Sequence, residues 1–230
     1  MKPMKPILFN TDMVRANLED RKTNTRRLVK PQPVFREGET GSPVRCDDGS
    51  WCFKIDQYHE VYDFELKPPY QTGDVLYVRE AWRIRNMFGD WNRCDRCAEI
   101  EYRAGGQNFV LKNITRRFED WQKGAQWLPS IHMPKVIART FLRVTDVKLQ
   151  RLKEITPEEA VAEGAVRRPR YMRYGGEKCL VLHSRYIDDF AKVWDSTVSK
   201  ADMDTYGWDA NPWVWVIKYE RISKEEAMKC

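Results

Sequence analysis

The chain has 230 residues, 40 Lys and Arg against 34 Asp and Glu, a formal charge of +6 and 32% charged residues. No apolar run approaches the roughly 20 residues of a membrane-spanning helix. Nine Phe, nine Trp and ten Tyr are too many for a chain that buries nothing, which argues against wholesale disorder.

The length suits one large domain or two small ones, and either can bury a core. The N-terminal MKPMKPILF has no apolar segment of export-signal length, so a cytoplasmic location is expected. Residues 11–19 read as a helix capped by Thr11, with Val14 and Leu18 on one face. A basic stretch follows: Met13 to Arg36 holds seven Lys/Arg against two acids. Prolines and glycines from Pro31 to Pro43 mark a loop-rich segment. VRCDDGSWCF then reads as a hairpin turning at Asp48-Gly49. Asp74 to Glu80 reads as a strand. Residues 84–126 are polar and irregular, with one strand expected at AEIEYRA, and are expected to be an inserted excursion outside the core.

Residues 135–153 alternate over a long run and predict a half-exposed strand with Ala138, Thr140, Leu142 and Val144 on one face. Thr156 is expected to cap a short helix, PEEAVAEG, with Pro157 at its first position, Glu159 completing a capping box and Gly164 ending it. RRPRYMRYGGEK reads as a basic aromatic loop. Ser184 is the expected cap of a second helix lined by Ile187, Phe190 and Trp194. PWVWVIKYERI closes the chain as a strand with Trp213, Trp215, Ile217 and Tyr219 on one face and Val214 and Val216 on the other, covered on both. There are no internal repeats. Many strands and few short helices predict an α+β fold, a small curved sheet or barrel with helices packed on it.

Four groups of residues could carry chemistry. The first is Arg21, Lys22, Thr25, Arg26 and Arg27. A hydroxyl and an amine three residues apart meet on a helix or turn, whereas a regular strand sends them to opposite faces. A lysine neutralised by burial and nearby cations takes a proton from a hydroxyl; a solvated basic face at a helix end is the other reading. The second is Glu163, a carboxylate at the end of a short helix, where the dipole disfavours it unless it has a cationic partner. The third is Cys46, Cys52, Cys94 and Cys97. Cys94-x-x-Cys97 has zinc-knuckle spacing and the other two flank the hairpin, so they are either free thiols or a structural zinc site. The fourth is basic surface. Residues 135–153 hold six Lys/Arg against one Asp, and residues 165–187 hold six against one Glu, interleaved with Tyr171, Tyr174 and Tyr186. Such stretches attract phosphates, and tyrosines stack on bases. His132 reads as structural, and His59 and His183 lack metal-like spacing. The Walker, dinucleotide, zincin and nucleophile-elbow motifs are absent.

The segments ILFNTDMVRANLEDRKTNTRR, TGDVLYVREAW, WLPSIHMPKVIART, LKEITPEEAVAEG and WDANPWVWVIKYERI together resemble the ASCH domain, in the longer form found in phages and prophages. The resemblance covers about residues 5–36, 71–83, 127–164 and 184–222. It implies a single PUA-like domain, a small β-barrel with flanking helices, enlarged by insertions near 37–70, 84–126 and 165–183. It also implies binding of nucleic acid, RNA in preference to DNA, or of a modified nucleoside. One small ASCH type is an amidohydrolase that removes the acetyl group of acetylcytidine. Its motif places the Lys on Lys22, the Thr on Thr25, the Arg on Arg27 and the Glu on Glu163. The glycine of that motif is Asp20 here; Gly permits a positive φ, and Asp tolerates one moderately well.

The resemblance therefore makes Lys22, Thr25 and Glu163 the expected catalytic residues. Arg21, Arg26, Arg27, Arg79, Arg167, Arg168, Arg170, Tyr171 and Arg173 are the expected binding residues. No cofactor is required by this chemistry. The non-catalytic alternative is an RNA- or DNA-binding phage accessory protein using the same residues.

Overall fold

A computed structural model describes residues 3–37, 39–55, 61–90, 96–122, 126–166, 169–183 and 185–229. The fold is α+β, with several sheets and a few short helices. In chain order, β1 (Lys5–Leu8), α1 (Thr11–Leu18), β2 (Asn24–Leu28), β3 (Gly41–Arg45), β4 (Trp51–Ile55), β5 (Val61–Leu66) and β6 (Val75–Arg79) form the first third. They are followed by β7 (Trp82–Phe88), β8 (Cys97–Tyr102), β9 (Phe109–Lys112), α2 (Arg117–Gln122) and the long β10 (Phe141–Arg151). The last part holds α3 (Pro157–Ala162), β11 (Pro169–Tyr174), β12 (Glu177–His183), α4 (Tyr186–Asp195), α5 (Met203–Tyr206), β13 (Trp213–Ile222) and α6 (Lys224–Lys229). Among the described residues the sheets are open, and no helix is long and apolar enough to cross a membrane.

The chain divides into two compact units, each discontinuous in sequence. The first comprises Met1–Asp20, Asp74–Arg143 and Glu220–Cys230. In it β1 pairs parallel with β6, and β6 pairs antiparallel with the start of β10. Helix α1 is capped by Asn10, whose side chain accepts from the Met13 amide at 2.8 Å; the residue expected to cap it, Thr11, is the first helical residue instead. Residues 84–126 correct the expectation of an excursion outside the core. Strands β7, β8 and β9 form an antiparallel sheet, and Trp82, Ile84, Ala98, Ile100, Tyr102, Ile114 and Phe118 are buried with Met133 and Ile137. Charged residues such as Arg83, Glu99 and Glu101 take the other face, which gives the segment its polar composition. Residues 135–140 are also not strand. Lys135–Ile137 form one 3-10 turn behind Pro134, with Ala138 N–H donating to Lys135 O at 2.9 Å, so the long strand starts at Phe141.

The second unit comprises Arg21–Gly73 and Val144–Tyr219. Its sheet order is β10-β13-β2, with β3-β4-β5 as a separate antiparallel sheet and β11-β12 as an isolated ribbon. Val214 and Val216 are fully buried against Phe190 and Trp194 of α4 and Ala160 of α3. The other face of β13 carries Trp213 and Trp215, which meet Phe53 and Trp51 of β4 edge to face at 4.8 and 6.3 Å. The closing strand is thus covered on both faces. The hairpin at Asp48-Gly49 forms, with Gly49 at φ 84°. The segment read as a basic loop is a β-ribbon whose turn is Gly175-Gly176, both at positive φ, the conformation a tight hairpin turn requires. Ser184 lies outside the described residues, and α4 starts behind Arg185 without a side-chain cap.

Candidate functional site

The residues from Arg21 to Arg27 do not form a helix end. They pass the C-terminal end of α3 and lead into β2, and both elements belong to the second unit. Helix α3 begins as its sequence predicts: Thr156 accepts from the Glu159 amide, Pro157 follows, and Gly164 at φ 90° ends it. Three successive carbonyls at its C-terminal end receive three successive residues. The Thr23 amide donates to Ala162 O at 2.8 Å, Lys22 Nζ to Glu163 O at 2.9 Å, and Arg21 Nη1 to Gly164 O at 3.5 Å. Cations there satisfy the orphan carbonyls and the negative end of the helix dipole.

Strand β2 sets which residues can meet. It pairs with β13 at Leu28↔Val214, Arg26↔Val216 and Thr25↔Ile217. Side chains alternate along a strand and opposed residues share a face. Arg26 therefore projects toward the face of Val216 and α4, and Thr25 and Arg27 toward the face of Ile217 and Trp215. Tyr219 N–H donates to Thr23 O and Val29 N–H to Trp213 O, so odd-numbered residues bond β13. The Asn24 carbonyl consequently points to the open edge of the strand.

Lys22 closes that edge. Its ammonium has no exposed surface and donates to Asn24 O at 2.7 Å, Glu163 O at 2.9 Å and Glu163 Oε2 at 2.8 Å. These three acceptors match the three N–H bonds of the charged form. The other oxygen of Glu163, Oε1, accepts from Arg26 Nη1 at 3.0 Å, and Arg26 Nη2 reaches the carboxylate of Glu159. The Arg26 guanidinium lies over the Phe190 ring at 5.7 Å. Glu163 at the helix end thus has two cationic partners. Burial lowers the Lys22 pKa from its ordinary value; the Glu163 carboxylate opposes this, and Arg27 and Arg26 add to it. Burial also lowers the pKa of half-buried Arg27, opposed by Tyr70, Glu163 and Tyr219.

Lys22, Arg26 and Glu163 are therefore brought together, whereas Thr25, the neighbour of Arg26 on β2, projects to the opposite face of that strand. Asp20, in the place of the expected glycine, has φ 55° and pairs with Arg221 at 2.8 Å within the first unit. Arg79 also belongs to the first unit, where its Nη2 donates to Ile131 O. Arg170 and Tyr171 flank a bulge in β11, Arg173 is exposed on the same strand, and Arg167 and Arg168 lie outside the described residues. Cys46 and Cys52 stand together on the β3–β4 hairpin, Cys97 is on β8 of the first unit, and Cys94 lies outside the described residues. Among the described residues no group of three or more His, Cys, Asp or Glu could hold a metal ion.

Glu159 was missed as a site residue. Its spacing of four from Glu163 puts both on one helix face, and that was the available signal. Tyr70 and Tyr219, beside Arg27, carried no local signal at all. Comparison of the chain with protein-family models, curated proteins and solved structures finds no match.

Proposed function

We propose that this protein binds a modified nucleoside or nucleic acid as an ASCH-type, PUA-like domain, and that Lys22, Thr25 and Glu163 hydrolyse the exocyclic amide of an N-acylated cytidine. The observation that carries the reading is the ammonium of Lys22, buried 2.8 Å from the Glu163 carboxylate with its pKa lowered. A buried ionisable pair with a perturbed lysine is a frequent mark of a reactive site. The ASCH resemblance of the Arg21–Arg27 and Glu163 segments supplies the substrate class.

In this reading Lys22 passes a proton to Glu163 and, as a neutral amine released from Asn24 O and turned around the open edge of β2, accepts the proton of the Thr25 hydroxyl on the opposite face. The Thr25 oxygen attacks the acyl carbonyl. Lys22 returns the proton to the departing cytosine amine, leaving an acyl-threonine ester that water hydrolyses. Arg27 stabilises the oxyanion, which its position on the Thr25 face of β2 favours. The test is incubation of the purified protein with a panel of N-acylated nucleosides. Release of acetate is expected from the wild type and not from Lys22→Ala or Thr25→Ala. A wild type that leaves every acylated nucleoside intact overturns the hydrolase.

A second reading, a non-catalytic nucleic-acid binder, is favoured by a specific observation. All three protons of Lys22 are already engaged, as in a structural bolt and not a base in waiting. Arg173 is also exposed on the β11–β12 ribbon, where a phosphate can reach it. This reading predicts nucleic-acid affinity that falls steeply with salt and no turnover.

A further inference from the structure

The β3–β4 hairpin holds a pair of thiols that the site above does not use. The register Val44↔Cys52 places Cys52 on the face of Val44, and Cys46, two residues beyond Val44, shares that face. The turn between them is fixed. Cys46 N–H donates to Ser50 O at 2.9 Å, Gly49 N–H to Cys46 O at 3.0 Å, and the Ser50 amide and hydroxyl donate to Asp48 Oδ1 at 2.9 and 2.6 Å. The two sulfurs end up 3.0 Å apart. A disulfide needs about 2.05 Å, so closure asks for a movement of about 1 Å within side chains already facing each other. The two thiols differ in access: Cys46 is half-exposed and Cys52 is buried.

We propose that Cys46 and Cys52 form a reversible dithiol–disulfide pair that exchanges with small-molecule disulfides, Cys46 attacking and Cys52 resolving. The Cys46 thiolate attacks one sulfur of the small disulfide, forming a mixed disulfide and releasing one small thiolate. Cys52 then loses its proton to water and attacks the Cys46 sulfur, expelling the second small thiolate. Two protein thiols are oxidised, one small disulfide is reduced to two thiols, and no other oxidant is needed. The order of attack follows from access, Cys46 being the half-exposed thiol, and from the weak acidity of Cys52. The contact with Cys46, burial, and the nearby Cys46 and Asp48 charges push the Cys52 thiol up to about 11, which makes it a poor first nucleophile.

The pair sits where closure would be felt. Trp51, at the start of β4 and next to Cys52, packs edge to face on Trp215, and Trp215 is register-paired with Arg27. A disulfide staples the hairpin that covers this face of β13.

The test uses the full-length protein equilibrated with mixtures of reduced and oxidised glutathione, quenched by alkylation and mapped by peptide mass. The expected result is a Cys46–Cys52 disulfide, two hydrogens lighter, that accumulates as the mixture becomes oxidising and disappears on reduction. Cys52→Ser is expected to trap glutathione on Cys46, whereas Cys46→Ser leaves Cys52 unmodified. The proposal is overturned if wild-type Cys46 and Cys52 are both alkylated in every mixture, or if either is found joined to another cysteine instead. The wild-type map decides the matter even where a variant fails to fold.

Discussion

The Nζ of Lys22 lies 2.8 Å from Oε2 of Glu163, with the lysine side chain wholly buried and the carboxylate 4% exposed. Taking two such charges out of water costs several kcal/mol each by order of magnitude, and only mutual attraction with full hydrogen bonding offsets it. Here every proton of the lysine and both carboxylate oxygens are engaged. Removing one partner strands the other, and Glu163→Ala takes the carboxylate from Lys22 and one of two carboxylates from Arg26. Glu163→Ala is expected to lose about 3–5 kcal/mol in urea unfolding. The double variant Lys22→Met/Glu163→Leu, which replaces the pair by apolar groups, is expected to recover much of that loss. A single-variant loss below about 1 kcal/mol would match an exposed surface pair and contradict the buried geometry.

The same burial gives stability a pH dependence. The folded protein holds Lys22 at a pKa below its ordinary value, mainly through desolvation, so between the folded and unfolded pKa values the unfolded chain binds more protons. Stability then rises with pH in that window. Burial of the charged lysine is a destabilisation fully present below the folded pKa, and it is relieved as pH rises through that value toward the ordinary lysine range. Urea unfolding of wild type and Lys22→Met between pH 7 and 10 checks this: the wild-type curve is expected to gain on the variant as pH rises. A difference that is flat or falls with pH would show that the lysine is not held below its ordinary pKa.

How far this site was legible from sequence differs by residue. Gly164, Pro157 and Thr156 fix the ends of α3 locally, so Glu163 at its C-terminal end was readable, as was its need for a cation. The identity of that cation follows from chain pairing over 141 residues, which only the resemblance anticipated. Arg26 shows the limit more sharply. Its two carboxylate partners are 133 and 137 residues away, and Glu159 looked like a capping residue until its carboxylate was seen directed at Arg26. The fold divides in a similar way. The doubly covered strand β13 was plain from its run of Trp, Val and Ile. The β7–β9 sheet was hidden because its outer face is charged, although Ala98, Ile100 and Tyr102 keep strict alternation. The β11–β12 ribbon was hidden because its Gly175-Gly176 turn sits among arginines and tyrosines that resemble a loop.

Arg26 distinguishes shape from charge. Its guanidinium spans Glu163 and Glu159 with separate nitrogens while lying over Phe190. A lysine keeps the charge but has one compact ammonium and no planar surface to stack. Arg26→Lys is therefore expected to lower stability by about 1–3 kcal/mol through a carboxylate left without its partner. Thermal unfolding checks it, since a loss of that size shifts the midpoint by several degrees in a protein of this length. An unchanged midpoint would mean that bridging the two glutamates contributes nothing.

The β11–β12 ribbon offers a test in which stability and binding move apart. Arg173 is exposed on the ribbon, so reversing its charge disturbs no packing. Arg173→Glu is an exposed surface change, worth at most about 0.5 kcal/mol to the fold. The variant is therefore expected to unfold at the same temperature as wild type, within about a degree or two. If the ribbon contacts a phosphate backbone, the same change weakens nucleic-acid binding and reduces the slope of log affinity against log salt by about 1. Binding isotherms at several salt concentrations, beside thermal unfolding of the same preparations, read both quantities. Unchanged affinity and slope in Arg173→Glu would remove the ribbon from the binding surface and leave its basic residues as an ordinary solvated face.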